Sequence, residues 1–222
     1  NNAATLQRYC FHLAYDGSRY RGWQYQPAVR SVQETLQNHL AQVLRLPQLT
    51  IIGCGRTDAG VHATQYAFHC DLPPIPDLST TRYRLNKTLP PDLAIYDILP
   101  VAANWHARFS AQWRSYDYLL HCDKQPFLAA QSMPYHDRPL HLDLMRQAVA
   151  LFPRYRDYAA LCRQPHLYNT TLCRVDAAQL WQSPDGRRLR FHIRANRFLR
   201  GRAGSAGWSG LGWHVGAGIV FY

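Results

Sequence analysis

GCGRTDAGVHA, residues 53–63, is the segment from which the rest of the sequence can be organised. Its first two residues end a largely apolar run at residues 49–54, which predicts a short buried strand. It precedes residues 66–72, where apolar and polar side chains alternate as in a half-buried strand. Three glycines within eight residues allow a sharp turn and a close approach of a ligand to the backbone. Such a loop either presents Asp58 and Arg56 to a substrate or is a structural turn in which Asp58 caps the following segment and Arg56 pairs with it.

A strand and a helix are predicted ahead of this loop. Residues 9–15 predict an opening strand, which ends at the turn residues 16–18. Ser31 and Glu34 form a capping box, and apolar residues follow it at helical spacing through Leu44.

Further strands and helices are predicted after the loop. They are a helix at 80–89, strands at 94–99 and 115–122, a helix at 143–152, and a hairpin with arms at 171–181 and 188–195. The pair Asp185-Gly186 is a strong turn signal between the two arms. In the second arm apolar residues alternate with basic ones, which predicts one packed face and one basic face.

The order of these elements predicts an α+β fold. Strand, helix, strand and strand recur in each half, which favours two α/β units that share a mostly antiparallel sheet with flanking helices. We place the boundary near residue 108. The N-terminal unit, 1–108, then carries the Asp58 loop, and residues 109–222 form the C-terminal unit.

The charge of the chain favours a nucleic-acid partner. The formal net charge is +11, and 23 of the 25 basic residues are arginine. Arginine pairs phosphate oxygens in bidentate fashion and stacks on bases, so this composition fits a nucleic acid better than a small acidic metabolite. The same composition also fits a solvated surface.

Other features of the composition predict a soluble cytoplasmic protein that does not enter a membrane. No run of 18 apolar residues occurs, and the N-terminus lacks the apolar region of a signal peptide. The six cysteines lie far apart without a C-x-x-C pair, so neither a disulfide framework nor a zinc site is predicted.

The loop also carries a family resemblance. GRTDAGVHA, residues 55–63, resembles the signature of the tRNA pseudouridine synthase A family, a long and specific motif. Further segments match the family in order and spacing across residues 9–201: Tyr15-Asp16-Gly17-Ser18 with Tyr20, Gly22, Trp23 and Gln24; Arg30-Ser31-Val32-Gln33; Asn86, Leu89-Pro90 and Asp92; His106-Ala107-Arg108-Phe109-Ser110-Ala111; Arg114-Ser115-Tyr116-Asp117-Tyr118; and Ala195-Asn196-Arg197-Phe198-Leu199.

The resemblance implies an enzyme with the pseudouridine synthase fold. Its members isomerise uridine to pseudouridine at nucleotides 38, 39 and 40 in the anticodon arm of tRNA, without a metal, nucleotide or redox cofactor. The motif's aspartate, here Asp58, is the nucleophile and attacks ribose C1′ or uracil C6. The family works as a homodimer whose subunits together form the tRNA-binding clefts.

The resemblance also suggests roles for other residues. Arg56 is a candidate for stabilising the flipped-out target nucleotide. Tyr116 corresponds to a tyrosine that stacks on the target base, although a strand tyrosine more often packs within a sheet. Six arginines are candidates for binding RNA: Arg21, Arg30, Arg108, Arg114, Arg197 and Arg200.

From Arg202 onward the sequence departs from the family pattern. The family continues into an apolar helix whose arginine pairs with the catalytic aspartate, and that arginine would fall at Gly204 here. Residues 201–210 instead contain four glycines, each of which costs a helix about 1 kcal/mol relative to alanine. An altered reading frame, a truncation or divergence would each produce this departure, and its abruptness favours the first. The second unit is therefore expected to be atypical and incomplete after residue 201.

Two other functions remain as alternatives. One is a catalytically impaired tRNA-binding protein on the same scaffold, because the family's last helix is altered. The other is a metal-dependent nuclease that uses Asp58 with His62 and His69, although their spacing matches no usual zinc-ligand pattern.

Overall fold

The computed structural model describes residues 6–135, 139–162 and 164–199, and the backbone of a strand at 215–218. Its strands are β1 (Gln7–Tyr15), β2 (Ile52–Gly53), β3 (His62–Leu72), β4 (Leu93–Val101), β5 (Arg114–His121), β6 (Met133–Pro134), β7 (Val175–Gln182), β8 (Arg188–Ala195) and β9 (Val215–Gly218). Its helices are α1 (Val32–Leu44), α2 (Leu78–Thr88) and α3 (Leu142–Leu151). Apart from β9, these elements form two units that divide the sequence between Gln112 and Trp113, four residues after the predicted boundary.

An antiparallel sheet forms the core of the first unit. β1 lies between β3 and β4, and β2 also pairs with β3. Phe11 of β1 stacks on Phe68 of β3 with ring centroids 4.7 Å apart, and both side chains are fully buried. The opening strand predicted at 9–15 is therefore confirmed and begins two residues earlier.

Helix α1 begins where the capping box predicts. The hydroxyl of Ser31 accepts the backbone N–H of Glu34 at 3.2 Å, and Ser31 is itself buried. The apolar positions that face the core are Val32, Leu36, Leu40 and Val43. Helix α2 is capped in the same way by Asp77, whose carboxylate accepts the N–H of Thr80 at 3.0 Å. Across the described ranges, no helix combines the length and the apolar composition that a membrane span requires.

Strand β3 is more deeply buried than the sequence predicts. Its alternating pattern predicts one exposed face, but Ala67 and His69 on that face are buried too. The reason is that residues 102–111 cover this face, where the N–H of Ala107 donates to Nδ1 of His69 at 3.2 Å. The half-buried prediction for β3 is therefore confirmed at Gln65 and Asp71, which are exposed, and wrong at Ala67 and His69.

The strand predicted at 49–54 is shorter than expected. Ladder pairing with β3 is limited to Ile52 and Gly53. Ile51 and Cys54 flank this short strand and are buried, whereas Ile52 is 41% exposed, so the predicted burial holds for only part of the run.

A second sheet forms the core of the other unit. β8 lies between β5 and β7 in antiparallel pairing, and β6 runs parallel to β5. One face of this sheet packs against Val149 of helix α3 through Phe191 and Ile193 of β8. The predicted alternation along 188–195 is confirmed, since the arginines of β8 lie on the opposite face.

The first arm of the hairpin begins at Val175 instead of residue 171. Residues 171–173 pair elsewhere: the N–H of Cys173 donates to the carbonyl of Arg156 at 2.8 Å, and Leu172 bridges to Asp157. Backbone groups that are engaged in this way do not join the ladder with β8.

The six cysteines are free thiols, and five of them are buried. Burial raises the pKa of Cys10 to about 11 and that of Cys70 to about 12. These two thiols therefore stay protonated and pack as small apolar groups.

Candidate active site

The loop between β2 and β3 presents its two charged side chains to solvent. Arg56 and Asp58 are both exposed, while Thr57 between them is 9% exposed and points into the protein. The structural interpretation in which these charges pair is not observed: within the described residues, neither side chain forms an ion pair or a side-chain hydrogen bond. The carboxylate of Asp58 is therefore accessible to a substrate.

Two buried tyrosines form hydrogen bonds to this loop from the protein interior. The hydroxyl of Tyr15, at the end of β1, lies 3.0 Å from Oγ1 of Thr57. The hydroxyl of Tyr66 in β3 donates to the carbonyl of Gly55 at 2.5 Å. Because burial raises the pKa of Tyr66 well above its usual value, its hydroxyl stays protonated as that bond requires. The loop thus has side-chain anchors on both sides of Arg56.

Close backbone packing also fixes the loop. The N–H of Trp23 donates to the carbonyl of Thr57 at 3.2 Å. Gly22 makes this approach possible, since its φ of +89° favours glycine and a Cβ there would lie 2.3 Å from that same carbonyl oxygen. Contact with the Asp58 loop therefore explains why glycine and tryptophan stand at positions 22 and 23 of the family motif.

Two of the predicted RNA-binding arginines adjoin this loop. The guanidinium of Arg30 lies 4.7 Å from the ring centroid of Tyr20, and the carbonyl of Tyr20 accepts the N–H of Gly60 at 3.2 Å. The N–H of Arg21 donates to the carbonyl of Arg30 at 2.9 Å. Both arginine side chains are exposed, so they add positive charge beside Asp58.

The nearby histidines are engaged with other groups. Nδ1 of His62 lies 3.0 Å from the carboxylate of Asp16. His69 is 2% exposed, and burial, together with the charge of Arg8, lowers its pKa from 6.5 to about 4. In the part of the chain that the structure describes, no group of three or more His, Cys, Asp or Glu side chains is arranged to hold a metal ion.

The other predicted site residues are distributed along the chain. Arg108 lies in the segment 102–111 of the first unit, with its guanidinium 5.9 Å from the ring centroid of Phe109. In the second unit, Arg114 donates to the carbonyl of Asn196 at 2.9 Å, and Arg197 lies 5.8 Å from the ring centroid of Tyr168. Arg200 lies outside the described residues, as do residues 201–214.

Tyr116 is half-buried in the second unit. Its ring meets that of Phe198 edge-on, with centroids 4.8 Å apart, and it packs beside the apolar cluster that includes Ile193. Part of the Tyr116 ring is therefore used in packing, and the ring lies on the face of the sheet that also contacts α3.

The opposite face of this sheet, which we call the arginine–tryptophan face, carries Trp113, Asp117, Arg174, Trp181, Arg188, Arg190, His192 and Arg194. Arg190 pairs with Asp117 through two hydrogen bonds of 2.7 and 2.9 Å and lies 4.9 Å from the ring centroid of Trp181. Arg174 lies 4.5 Å from the ring centroid of Trp113. The alternation along β8 predicted the basic side chains of this face but not the tryptophans, which lie on other strands.

Comparison with known proteins shows extensive sequence similarity to one group of enzymes. A protein named tRNA pseudouridine synthase A from Porphyromonas gingivalis is 39% identical over 215 residues, which cover 96% of this chain and 84% of that protein. Proteins of the same name from Azobacteroides pseudotrichonymphae and Bacteroides fragilis are 40% and 38% identical over 88% of this chain and 77% of their own lengths. No family model matches the chain.

Proposed function

This chain belongs to the tRNA pseudouridine synthase A family, and from that membership we propose that it isomerises uridine to pseudouridine at nucleotides 38, 39 and 40 of the tRNA anticodon stem-loop, with Asp58 as the nucleophile. It is an isomerase that acts on uridine in tRNA. The observation that supports Asp58 most strongly is its accessible carboxylate, which forms no ion pair among the described residues, on a loop with anchored neighbours.

Asp58 would act by covalent catalysis. Its carboxylate attacks the target nucleoside at ribose C1′ or at uracil C6. The bond between C1′ and N1 breaks, the uracil rotates, and C5 bonds to C1′. C5 then loses its proton, N1 gains one, and the carboxylate is released. The net reaction is an isomerisation, so the chemistry balances without an oxidant, a reductant or a second substrate.

The target nucleotide must leave the base stack before this reaction. Extrusion costs a few kcal/mol, which contacts with the protein have to offset. Arg56 is two residues from Asp58 and exposed, so its guanidinium is suited to bind a phosphate or to fill the gap that the extruded base leaves. For Tyr116, the proposed role is to stack on the extruded base with the part of its ring that Phe198 does not contact.

The arginines supply electrostatic attraction for the RNA backbone. Arg21 and Arg30 flank the Asp58 loop, and we assign Arg108, Arg114, Arg197 and Arg200 to the same role by family membership. The arginine–tryptophan face adds further cations on the second unit. Binding should therefore weaken with salt by roughly 0.7 to 0.9 log units per log unit of salt for each phosphate that is neutralised.

Family membership also supports a broader set of proposals. We infer that the chain has the pseudouridine synthase fold, that it forms a homodimer, and that it works in the cytoplasm. Light scattering at micromolar concentration tests the dimer, since a mass near 25.6 kDa would identify a monomer.

A tritium-release assay tests the proposed reaction. Unmodified tRNA labelled at uridine C5 is incubated with the parent protein and with the Asp58→Ala variant. Asp143→Asn serves as the control, because Asp143 is an exposed carboxylate on α3 of the second unit. We expect release from the parent and the control and none from Asp58→Ala. Equal release from Asp58→Ala would exclude Asp58 as the nucleophile.

A further inference from the structure

The geometry points to Tyr15 as a positioning residue for the Asp58 carboxylate, acting through Thr57. We infer that the hydrogen bond between the Tyr15 and Thr57 hydroxyls fixes the backbone from which Asp58 projects. This inference rests on the proposed function, because it assigns Asp58 the reacting carboxylate.

The two hydroxyls meet inside the protein. Tyr15 is 4% exposed and Thr57 is 9% exposed, and their oxygens lie 3.0 Å apart. The Tyr15 ring is held by aromatic neighbours, with centroids 6.3 Å from that of Trp23 and 5.7 Å from that of Tyr66. Because water is largely excluded here, this hydrogen bond meets little competition from solvent.

Thr57, the buried residue directly before Asp58, connects the loop to the rest of the protein. Its side chain meets Tyr15, and its carbonyl accepts the N–H of Trp23 at 3.2 Å. Both groups of Thr57 are therefore fixed by residues that precede the loop by more than 30 positions in the sequence. A rotation of the Thr57 backbone would break at least one of these two bonds.

The direction of the Asp58 side chain depends on the fixed backbone of Thr57. In the described part of the chain, the carboxylate forms no hydrogen bond that would direct it. Its direction is therefore set by the backbone of Thr57 on one side and by the bond from Gly60 N–H to the Tyr20 carbonyl on the other. Displacement of a reacting group by about 1 Å can reduce turnover by about 100-fold.

The test removes this hydrogen bond from either end. Tyr15→Phe deletes one hydroxyl, Thr57→Val deletes the other, and Thr57→Ser restores an oxygen at the same position. The control is Tyr9→Phe, since Tyr9 lies on the same strand, is equally buried at 4%, and also uses its hydroxyl, which accepts the N–H of Ile75 at 2.9 Å. Tyr9 thus reports the general effect of losing a buried tyrosine hydroxyl from β1.

The expected result is a loss of turnover without a loss of binding. Tyr15→Phe and Thr57→Val should each lower kcat about 10- to 100-fold. Their Kd for tRNA should stay within about twofold of the parent value, because neither hydroxyl lies on the exposed surface. Thr57→Ser should recover most of kcat, and Tyr9→Phe should retain it. The double variant Tyr15→Phe/Thr57→Val should be no slower than the slower single variant, because both changes remove one interaction.

Other outcomes would overturn the inference. Parent-like kcat in Tyr15→Phe, an equal loss in Tyr9→Phe, or multiplied losses in the double variant would each show that the hydrogen bond does not position Asp58. If the parent itself forms no pseudouridine, the proposed function fails.

Hydrogen–deuterium exchange of residues 55–61 then tests separately whether the hydrogen bond between Tyr15 and Thr57 fixes the loop backbone. Exchange of these residues should be faster in Tyr15→Phe than in Tyr9→Phe, and equal exchange would show that the bond does not fix the loop.

Discussion

Lowering the pH from 7 to 4 is expected to destabilise the first unit through His69. Nδ1 of this buried imidazole accepts the N–H of Ala107, so the neutral form is required in the folded chain. Burial and the nearby charge of Arg8 lower its pKa from 6.5 to about 4. The unfolded chain therefore takes up a proton near pH 6.5, while the folded chain resists protonation until about pH 4.

The size of the effect follows from this difference in pKa. A lowering from 6.5 to about 4 makes the protonated form unfavourable in the folded chain by ~3 kcal/mol. The free energy of unfolding is unaffected by protonation of His69 above pH 6.5. Below that pH it falls by up to about 1.4 kcal/mol per pH unit, until the ~3 kcal/mol is lost near pH 4. Protonation would also break the bond to Ala107, which holds residues 102–111 over β3.

Urea denaturation from pH 7 to pH 4.5, compared with the variant His69→Asn, measures this contribution. The amide oxygen of asparagine can accept the N–H of Ala107 but does not titrate in this range. The control is His166→Asn, which replaces an exposed histidine in the second unit. The parent and the control should lose stability with the slope of one extra proton, and His69→Asn should show a flatter profile. Parallel profiles for the parent and His69→Asn would refute the assignment.

Three further predictions address the loop, the first helix and the basic face. Gly22→Ala should lower the free energy of unfolding by at least ~1 kcal/mol, because the new Cβ would lie 2.3 Å from the carbonyl of Thr57 at a φ of +89°; an unchanged melting temperature would contradict this packing. Ser31→Ala should cost ~1 kcal/mol of stability in urea denaturation through loss of the α1 cap, and no change in the midpoint would show that the cap is dispensable. Arg188→Gln should weaken tRNA binding and reduce the slope of log Kd against log salt by about 0.7 to 0.9 if this arginine neutralises one phosphate, whereas Arg154→Gln, also exposed in the second unit, should leave the slope unchanged. Equal slopes for all three proteins would remove the arginine–tryptophan face from the binding surface.

Local patterns in the sequence predict much of the fold, because their causes lie within a few residues. The cap of α1 depends on Ser31 and Glu34, three positions apart, and the two faces of β8 depend on a period of two. Both are confirmed by the structure. The burial of His69 on the second face of β3 is missed, because its cover includes Ala107, whose N–H donates to His69 from 38 positions away.

The candidate site shows the same division between local and distant causes. The loop motif identifies Asp58 and Arg56 as the candidate residues, and the comparisons show the family to which the chain belongs. The motif does not reveal that Tyr15 holds Thr57 across 42 positions, or that Arg174 stacks on Trp113 from a different strand region. Such contacts depend on strand register, which is set only when the whole sheet assembles.

Direct mapping of pseudouridine in tRNA tests the central claim. Unmodified tRNA with uridine at nucleotides 38, 39 and 40 is incubated with the parent protein or with Asp58→Asn, which keeps the shape of the side chain but removes its charge. Pseudouridine is then located by mass spectrometry of nuclease fragments. We predict pseudouridine at these nucleotides with the parent protein and none with Asp58→Asn. Pseudouridine formed equally by Asp58→Asn, or its absence from the parent reaction while tRNA still binds, would contradict the account.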